Sequence, residues 1–284
     1  MGSGTSHGIP VIGCDCPVCR SSDIRDKRTR AALYIQGDAG ERVVIDTGPE
    51  FRLQALSAGI TRLDAVLLTH AHADHIHGLD DIRALSWEHP IPVYANRATI
   101  AEMRERFAYI FKETQRGGGK PRIIPTEVTA PLTIGSLTFT PIPVKHGVLD
   151  ILGWRIAENG AGEGANAHSK AAPSGNAKPE TETRTAVYLT DTSLIPPSSL
   201  NLIRRAEVFI IGAIRDRPHE THFTFAQALA TAIEVGARRV YLTHISHEHS
   251  HREIEAYCRG FLTDQELNGI SVGPSWDGLE LNLR

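Results

Sequence analysis

Several specialised classes of protein are closed to this chain by what it lacks. Its 30 basic residues are outnumbered by 33 acidic ones, a net charge of −3, so there is no basic excess to hold nucleic acid or an acidic membrane. No apolar run approaches the roughly eighteen residues of a membrane span. Met1-Gly2-Ser3-Gly4-Thr5 has neither the basic nor the apolar region of an export signal. Cysteine is scarce, with four in 284 residues. A chain of this length buries about three quarters of its unfolded surface without disulfide staples. A reducing, cytoplasmic setting is expected, where clustered thiols bind metal more often than they pair. Residues 157–184 lack every large apolar type (Val, Ile, Leu, Met, Phe, Tyr and Trp). Nothing in them offsets the entropy of ordering, so they read as a disordered surface insertion.

What is present is an ordinary globular composition, 41% hydrophobic and 22% charged. Short apolar runs predict strands at 31–35, 43–46, 66–69, 91–94, 137–141, 152–156, 186–190, 208–211 and 240–243. Helices are predicted at 49–58, 74–87, 99–111, 225–235 and 251–261. Gly37-Asp38-Ala39-Gly40 marks a hairpin turn, and 153–156 should pair with 186–190 across the insertion. This alternation predicts an α/β architecture, helices layered on sheets, as a single domain over 1–284.

The chemistry concentrates in Thr69-His70-Ala71-His72-Ala73-Asp74-His75, directly after the apolar run Ala65-Val66-Leu67-Leu68. His70 and His72, two apart in extended chain, point the same way and can grip one cation. Asp74 and His75 turn into the next helix, with Asp74 placed to cap it, and can serve a second cation. Imidazole nitrogen with carboxylate oxygen suits zinc, manganese or iron. Asp46, His146, Asp191 and His244 each follow an apolar run, as residues at one rim of the sheets would. Cys14-x-Cys16-x-x-Cys19 can wrap a tetrahedral zinc but leaves it one ligand short. Thr243-His244-Ile245-Ser246-His247 is the place to seek the fourth ligand. Cys258 reads as a half-buried helix residue. His77, His89, His168, His249 and His251 read as surface residues.

In this order, Asp46-Thr47-Gly48, His70-x-His72-x-Asp74-His75, His146, Asp191 and His244 resemble the five motifs of the metallo-β-lactamase superfamily. The resemblance implies a four-layer αβ/βα sandwich with two divalent metals, zinc or manganese. His70, His72 and His146 would hold the first. Asp74, His75 and His244 would hold the second, with Asp191 bridging and Asp46 orienting the ligand loop from behind. Gly4-Thr5-Ser6-His7-Gly8, the three cysteines and Thr243-His244-Ile245-Ser246-His247 together are similar to the PhnP branch, in which the equivalent of His247 completes a structural Cys₃His zinc site. Members of that branch carry an apolar strand before the Gly-Thr-Ser loop. Here only Met1-Gly2-Ser3 precede Gly4, so either the start lies late or the sheet lacks that strand.

The same resemblance implies hydrolysis of small, cyclic phosphodiesters of the phosphoribosyl 1,2-cyclic phosphate type, by attack of a metal-bridging hydroxide with Asp74 in the catalytic set. His222, in His219-Glu220-Thr221-His222, lies 22 residues before His244 and matches the proton donor to the leaving oxygen. Thr5, Ser6 and Arg217 are candidate substrate contacts, with Arg215 and Lys145 as further cations able to grip a phosphate. Backbone N–H groups of the Gly4–Gly8 loop could join them. The expected partner is a small phosphodiester, with no membrane, no nucleic acid, and a homodimer left open. The alternatives are a tRNA 3′-end endonuclease with Arg116-Gly117-Gly118-Gly119-Lys120 as a short arm, a thiolester hydrolase, and a non-catalytic metal-binding scaffold.

Overall fold

The computed structural model describes residues 1–112, 119–158, 184–264 and 269–283. All but three residues of the 157–184 insertion, and most of the Arg116–Lys120 segment, lie outside the described residues. Two sheets carry the fold. The first runs in the order β1 (Leu33–Gln36), β2 (Arg42–Ile45), β3 (Ala65–Leu67), β4 (Ile91–Ala95) and β5 (Ile123–Glu127), antiparallel at β1–β2 and parallel thereafter. The second contains β6 (Leu132–Ile134), β7 (Leu137–His146), β8 (Leu149–Glu158), β9 (Arg184–Leu189), β10 (Val208–Gly212), β11 (Arg239–Thr243) and β12 (Ser271–Pro274). It is antiparallel from β6 to β9 and parallel from β9 to β12.

Strand side chains alternate between faces, and that period sorts them into three cores. Val43, Ile45, Ala65 and Leu67 meet Phe139, Trp154, Ile156, Tyr188 and Val208 between the sheets. Val44, Val66, Leu68 and Val93 face outward, onto α1 (Phe51–Ser57), α2 (Ala73–Ile76) and α3 (Arg97–Arg106) through Phe51, Ile76 and Met103. Val187, Leu189, Phe209, Ile211, Val240 and Leu242 cover the opposite face. There they meet Ile203 of α5 (Pro197–Ile203), Leu229 of α6 (Phe225–Glu234) and Ile254 of α7 (His251–Asp264). Each large apolar side chain so buried stabilises the fold by about 1.5–3 kcal/mol. The layers run helix, sheet, sheet, helix, which is the expected αβ/βα sandwich.

Some expectations are corrected. The helix expected over 74–87 is two pieces, because Gly78 N donates to Thr47 O (2.8 Å) instead of continuing the helical ladder. The chain beyond Gly78 tightens into a 3₁₀ helix, Leu79–Leu85. Asp74 lies inside the first turn of α2, and His72 is the capping position. The helix expected over 99–111 breaks at Phe107 into α3 and α4 (Ala108–Phe111). β5, β6, β12 and α5 were not foreseen; β5 and β12 each contain a proline, and the two prolines at 196–197 hide the start of α5. Among the described residues no strand precedes β1. Instead Gly2 bridges to Ala32, and Gly4 bridges to both Arg30 and Ile245, so the first residues strap one half of the sandwich to the other.

Candidate metal centres

Five strand ends converge on one rim. Asp46 follows β2, the 69–75 segment follows β3, His146 closes β7, Asp191 follows β9 and His244 follows β11. The registers Ile45↔Leu67 and Gly212↔Thr243 align these exits. A Cβ at Gly212 would lie 2.9 Å from Asp191 N, so only glycine lets the β9 exit pass. Four described residues other than glycine have left-handed backbone, and three of them are Asp46 (φ 64), Asp191 (φ 50) and His244 (φ 56). Such conformations disfavour L side chains and persist where surrounding structure enforces them, often at functional sites.

Asp46, fully buried, organises the rim from behind. Its Oδ1 accepts from Thr69 N and its Oδ2 from Thr69 Oγ1, both at 2.8 Å. Oδ2 also lies 2.7 Å from His75 Nδ1, which donates to it. Having given its proton to Asp46, Thr69 Oγ1 accepts from His70 Nδ1 at 3.0 Å. His146 Nδ1 donates to Thr221 O at 2.8 Å. In His70, His75 and His146, therefore, Nδ1 is anchored and Nε2 faces inward, the orientation metal-binding imidazoles need. Thr69 and Thr221 were not singled out from sequence: one acts through a flanking hydroxyl and the other through a backbone carbonyl.

Two donor sets result. His70 Nε2 and His72 Nδ1 lie 3.0 Å apart, and with His146 they form a three-nitrogen cluster. Burial, then His75, holds His70 well below the ordinary imidazole range, which keeps its lone pair available. Asp74, His75, Asp191 and His244 form the second set. His75 Nε2 lies 3.2 Å from Asp74 Oδ2 and 3.1 Å from Asp191 Oδ2, yet hydrogen-bonds to neither. His244 Nε2 lies 3.2 Å from Asp191 Oδ1. Burial opposes charge on His75, but Asp191, Asp46 and Asp74 raise it well above its usual range, so this position favours positive charge. Burial likewise opposes ionisation of Asp191, which His244 and His75 nonetheless hold well below the usual carboxylate range. An orphaned inward nitrogen between two carboxylates fits a divalent cation.

His222 stacks on His244 at 4.8 Å, and its Nδ1 lies 3.7 Å from Asp191 Oδ1. Burial, then His244, lowers it to about 3. His146, Asp191 and His222 form a further cluster able to bind a cation. Thr224 caps α6 in a capping box with Gln227, leaving His222 just outside the helix.

Away from the rim, His247 Nδ1 lies 3.4 Å from the sulfurs of Cys14 and Cys16 and 3.6 Å from that of Cys19. These four donor atoms lie within 4.8 Å of one another. The backbone N–H of Cys19, ahead of other causes, lowers the Cys16 thiol to about 6, while burial pushes Cys19 up to about 11. Cys258 is fully buried in the α7 core rather than half-buried.

Most of the candidate substrate contacts are engaged within the protein. Arg217 Nε and Arg215 Nη1 both pair with Glu248, at 2.9 and 3.1 Å, and Lys145 pairs with Asp150 at 2.6 Å. Thr5 is buried and its N–H donates to Ile245 O, while Ser6 is exposed. The N–H groups of Gly4 and Gly8 are also bonded within the protein. His77 and His89 are exposed, His249 is half-buried and paired with Asp216, and His168 lies outside the described residues. His251 is buried, contrary to expectation, because it opens α7 beneath Asp26 and Trp276.

A four-layer sandwich with a His/Asp rim of this order defines a metallo-β-lactamase-type hydrolase fold. The β-lactamase superfamily domain matches residues 41–169 and 174–245. A solved diphosphatase of the PhnP family is 35% identical, with a TM-score of 0.78 over 99% of this chain and 95% of its own. The chain belongs to this superfamily and, within it, to the PhnP-like hydrolases. Zinc-bound PqqB from Methylobacterium extorquens shares the fold at 16% identity, with a TM-score of 0.73 and coverage of 99% and 98% of the two chains. The octanoyltransferase of Porphyromonas gingivalis is 38% identical over 250 residues, covering 87% of this chain and 45% of that protein. The chain thus spans less than half the length of that relative. No helix among the described residues is long and apolar enough to cross a membrane.

Proposed function

We propose that the protein is a metal-dependent phosphodiesterase acting on small, cyclic phosphodiesters of the phosphoribosyl 1,2-cyclic phosphate type. The observation that carries this is His222 beside both donor sets, 3.7 Å from Asp191 and stacked on His244. Two divalent cations, zinc or manganese, held by His70, His72, His146 and by Asp74, His75, His244 with Asp191, would neutralise phosphoryl oxygens and supply hydroxide near neutral pH. Asp46 keeps His75 and, through Thr69, His70 facing inward. His222 donates the proton that an alkoxide needs in order to leave. An anionic phosphoryl group beside it is the partner that lets the buried ring carry that proton. Cys14, Cys16, Cys19 and His247 hold a third, structural zinc, in a reducing cytoplasm that keeps the thiols unpaired.

A second reading, hydrolysis of a phosphoanhydride, draws on the related diphosphatase. A phosphate leaving group departs readily without a proton, so that reaction has less need of His222. RNA processing has the weakest support, because the charge balance offers no basic footprint. The test is metal analysis with a panel of a cyclic ribose phosphodiester, a linear phosphodiester, a dinucleoside diphosphate and a thiolester. Turnover confined to the phosphodiesters supports the proposal. Preference for the diphosphate favours the second reading, and preference for the thiolester overturns both.

A further inference from the structure

Residues 244–247 carry a candidate ligand of each centre, His244 at one end and His247 at the other, and among the motif residues Thr5 reaches this stretch at Ile245, which leaves the His247 end to be held by something else. Arg28 holds it from beneath. Its side chain is 0% exposed, and it lies 3.2 Å from Asp26, which is also buried. Nη1 donates to Ser246 O at 2.8 Å and to His249 O at 3.2 Å, and Nη2 donates to His249 O and Asp26 Oδ1, each at 3.2 Å. The same Asp26 oxygen accepts from His251 N at 2.6 Å, where α7 begins. Carbonyls on both sides of His247 are therefore held by one guanidinium.

The Arg28 backbone reaches the thiols as well. It exchanges two hydrogen bonds with Ile9, at 2.8 and 2.9 Å, closing the base of the excursion that bears Cys14, Cys16 and Cys19. A Cβ at Gly4 would lie 2.7 Å from Arg28 O, so the Gly4 strap is seated directly on this residue. That strap holds Ile245, next to His244, through Ile245 N to Ser3 O (3.0 Å) and Thr5 N to Ile245 O (3.1 Å).

We infer that Arg28, with Asp26, is the positioning pair that sets His247 against the three thiolates and, through Ser246, steadies the His244 exit. The inference rests on the thiolate-zinc reading above. A buried ion pair is a poor source of stability, since desolvation offsets most of its attraction and apolar side chains of equal volume often serve as well. What a guanidinium fork provides is direction: its rigid N–H groups fix where several carbonyls stand. Loss of the pair should therefore appear in metal affinity more than in the bare fold.

Cobalt(II) is a suitable probe, exchanged into the full chain and titrated against a chelator. The wild type should show thiolate-to-cobalt charge transfer from about one cobalt per chain. Two variants are compared with it: Asp26→Asn with Arg28→Met, which removes both charges, and Arg28→Lys, which keeps the charge without the fork. Each should bind that cobalt about 10–100-fold more weakly, the usual effect of losing a support behind the ligands. The visible cobalt bands should shift, and the gain in melting temperature on metal loading should shrink. Unaltered affinity and spectrum, with equal losses of melting temperature in chelator and in metal, would overturn the role of Arg28 alone. Absence of the charge-transfer band from the wild type would overturn the thiolate centre itself, and the inference with it.

Discussion

The two candidate centres are built by opposite strategies. The His/Asp rim draws residues from five strand ends far apart in sequence, three of them in left-handed backbone, and two of its three anchored imidazoles, His70 and His75, lean on fully buried partners. The thiolate centre draws three of its four donors from six consecutive residues, in a small apolar pocket of Ile9, Val11 and Val18. The rim exists only once both sheets have formed, so the fold prepares it and metal adds to a set already in place. The thiolate loop has little core of its own, and there metal binding would itself be a large part of folding. The first arrangement suits catalysis and the second suits structure.

The largest expected effect contrasts two neighbours at the rim. His244→Ala should lose one active-site metal and nearly all turnover on every substrate, because a donor of the second set is gone. His222→Ala should keep both metals yet lose about 10²–10⁴-fold in turnover on substrates with alkoxide leaving groups. With a nitrophenolate leaving group, which departs without a proton, the loss should shrink. Metal counts with kcat on both substrate types check this. A His222→Ala protein that also loses metal would mark His222 as a ligand within the His146/Asp191/His222 cluster instead.

Next comes Asp46→Asn, which replaces an acceptor serving both His75 and Thr69 with an amide. Affinity at the rim should fall about 10–100-fold, measured by chelator competition, with the thiolate metal unchanged. The mirror experiment is Cys16→Ser. Zinc content should drop by about one equivalent and melting temperature should fall, while the rim keeps its metals. A Cys16→Ser protein with full zinc content would erase the contrast between the centres.

The layered fold and the rim were legible because their signals are local or strictly ordered. Apolar runs of four or five residues marked nine of the twelve described strands, and those at 43–46, 66–69, 186–190 and 240–243 run straight into residues of the rim. The breaks in the helices were not legible. Gly78 leaves the helical ladder because Thr47, thirty-one residues earlier, offers its carbonyl, and no local pattern reports that. The same holds for Thr69, whose hydroxyl passes the influence of Asp46 to His70. Arg28 looks like any surface arginine in sequence, and the carbonyls that its buried guanidinium holds belong to a loop more than two hundred residues away.

The smallest effect is expected where neither centre reaches. Glu158 and Arg184 are register partners at the open end of the β8–β9 hairpin, and Arg184 also pairs with Asp38 at 3.1 Å. Directly opposed residues of an antiparallel pair can be joined by a two-residue turn such as Asn-Gly. Replacing 159–183 with that turn removes only residues whose composition offers no large apolar side chain to a core. Shortening the connection lowers the entropic cost of closing it by about 2 kcal/mol in the ideal-chain limit, so stability should hold or rise by a few degrees. Metal content at both centres should be unchanged, and turnover of a small phosphodiester should stay within about twofold of the intact chain. A large loss of turnover at unchanged melting temperature would show that the segment touches substrate, and the rim would then need a sixth contributor beyond its five strand ends.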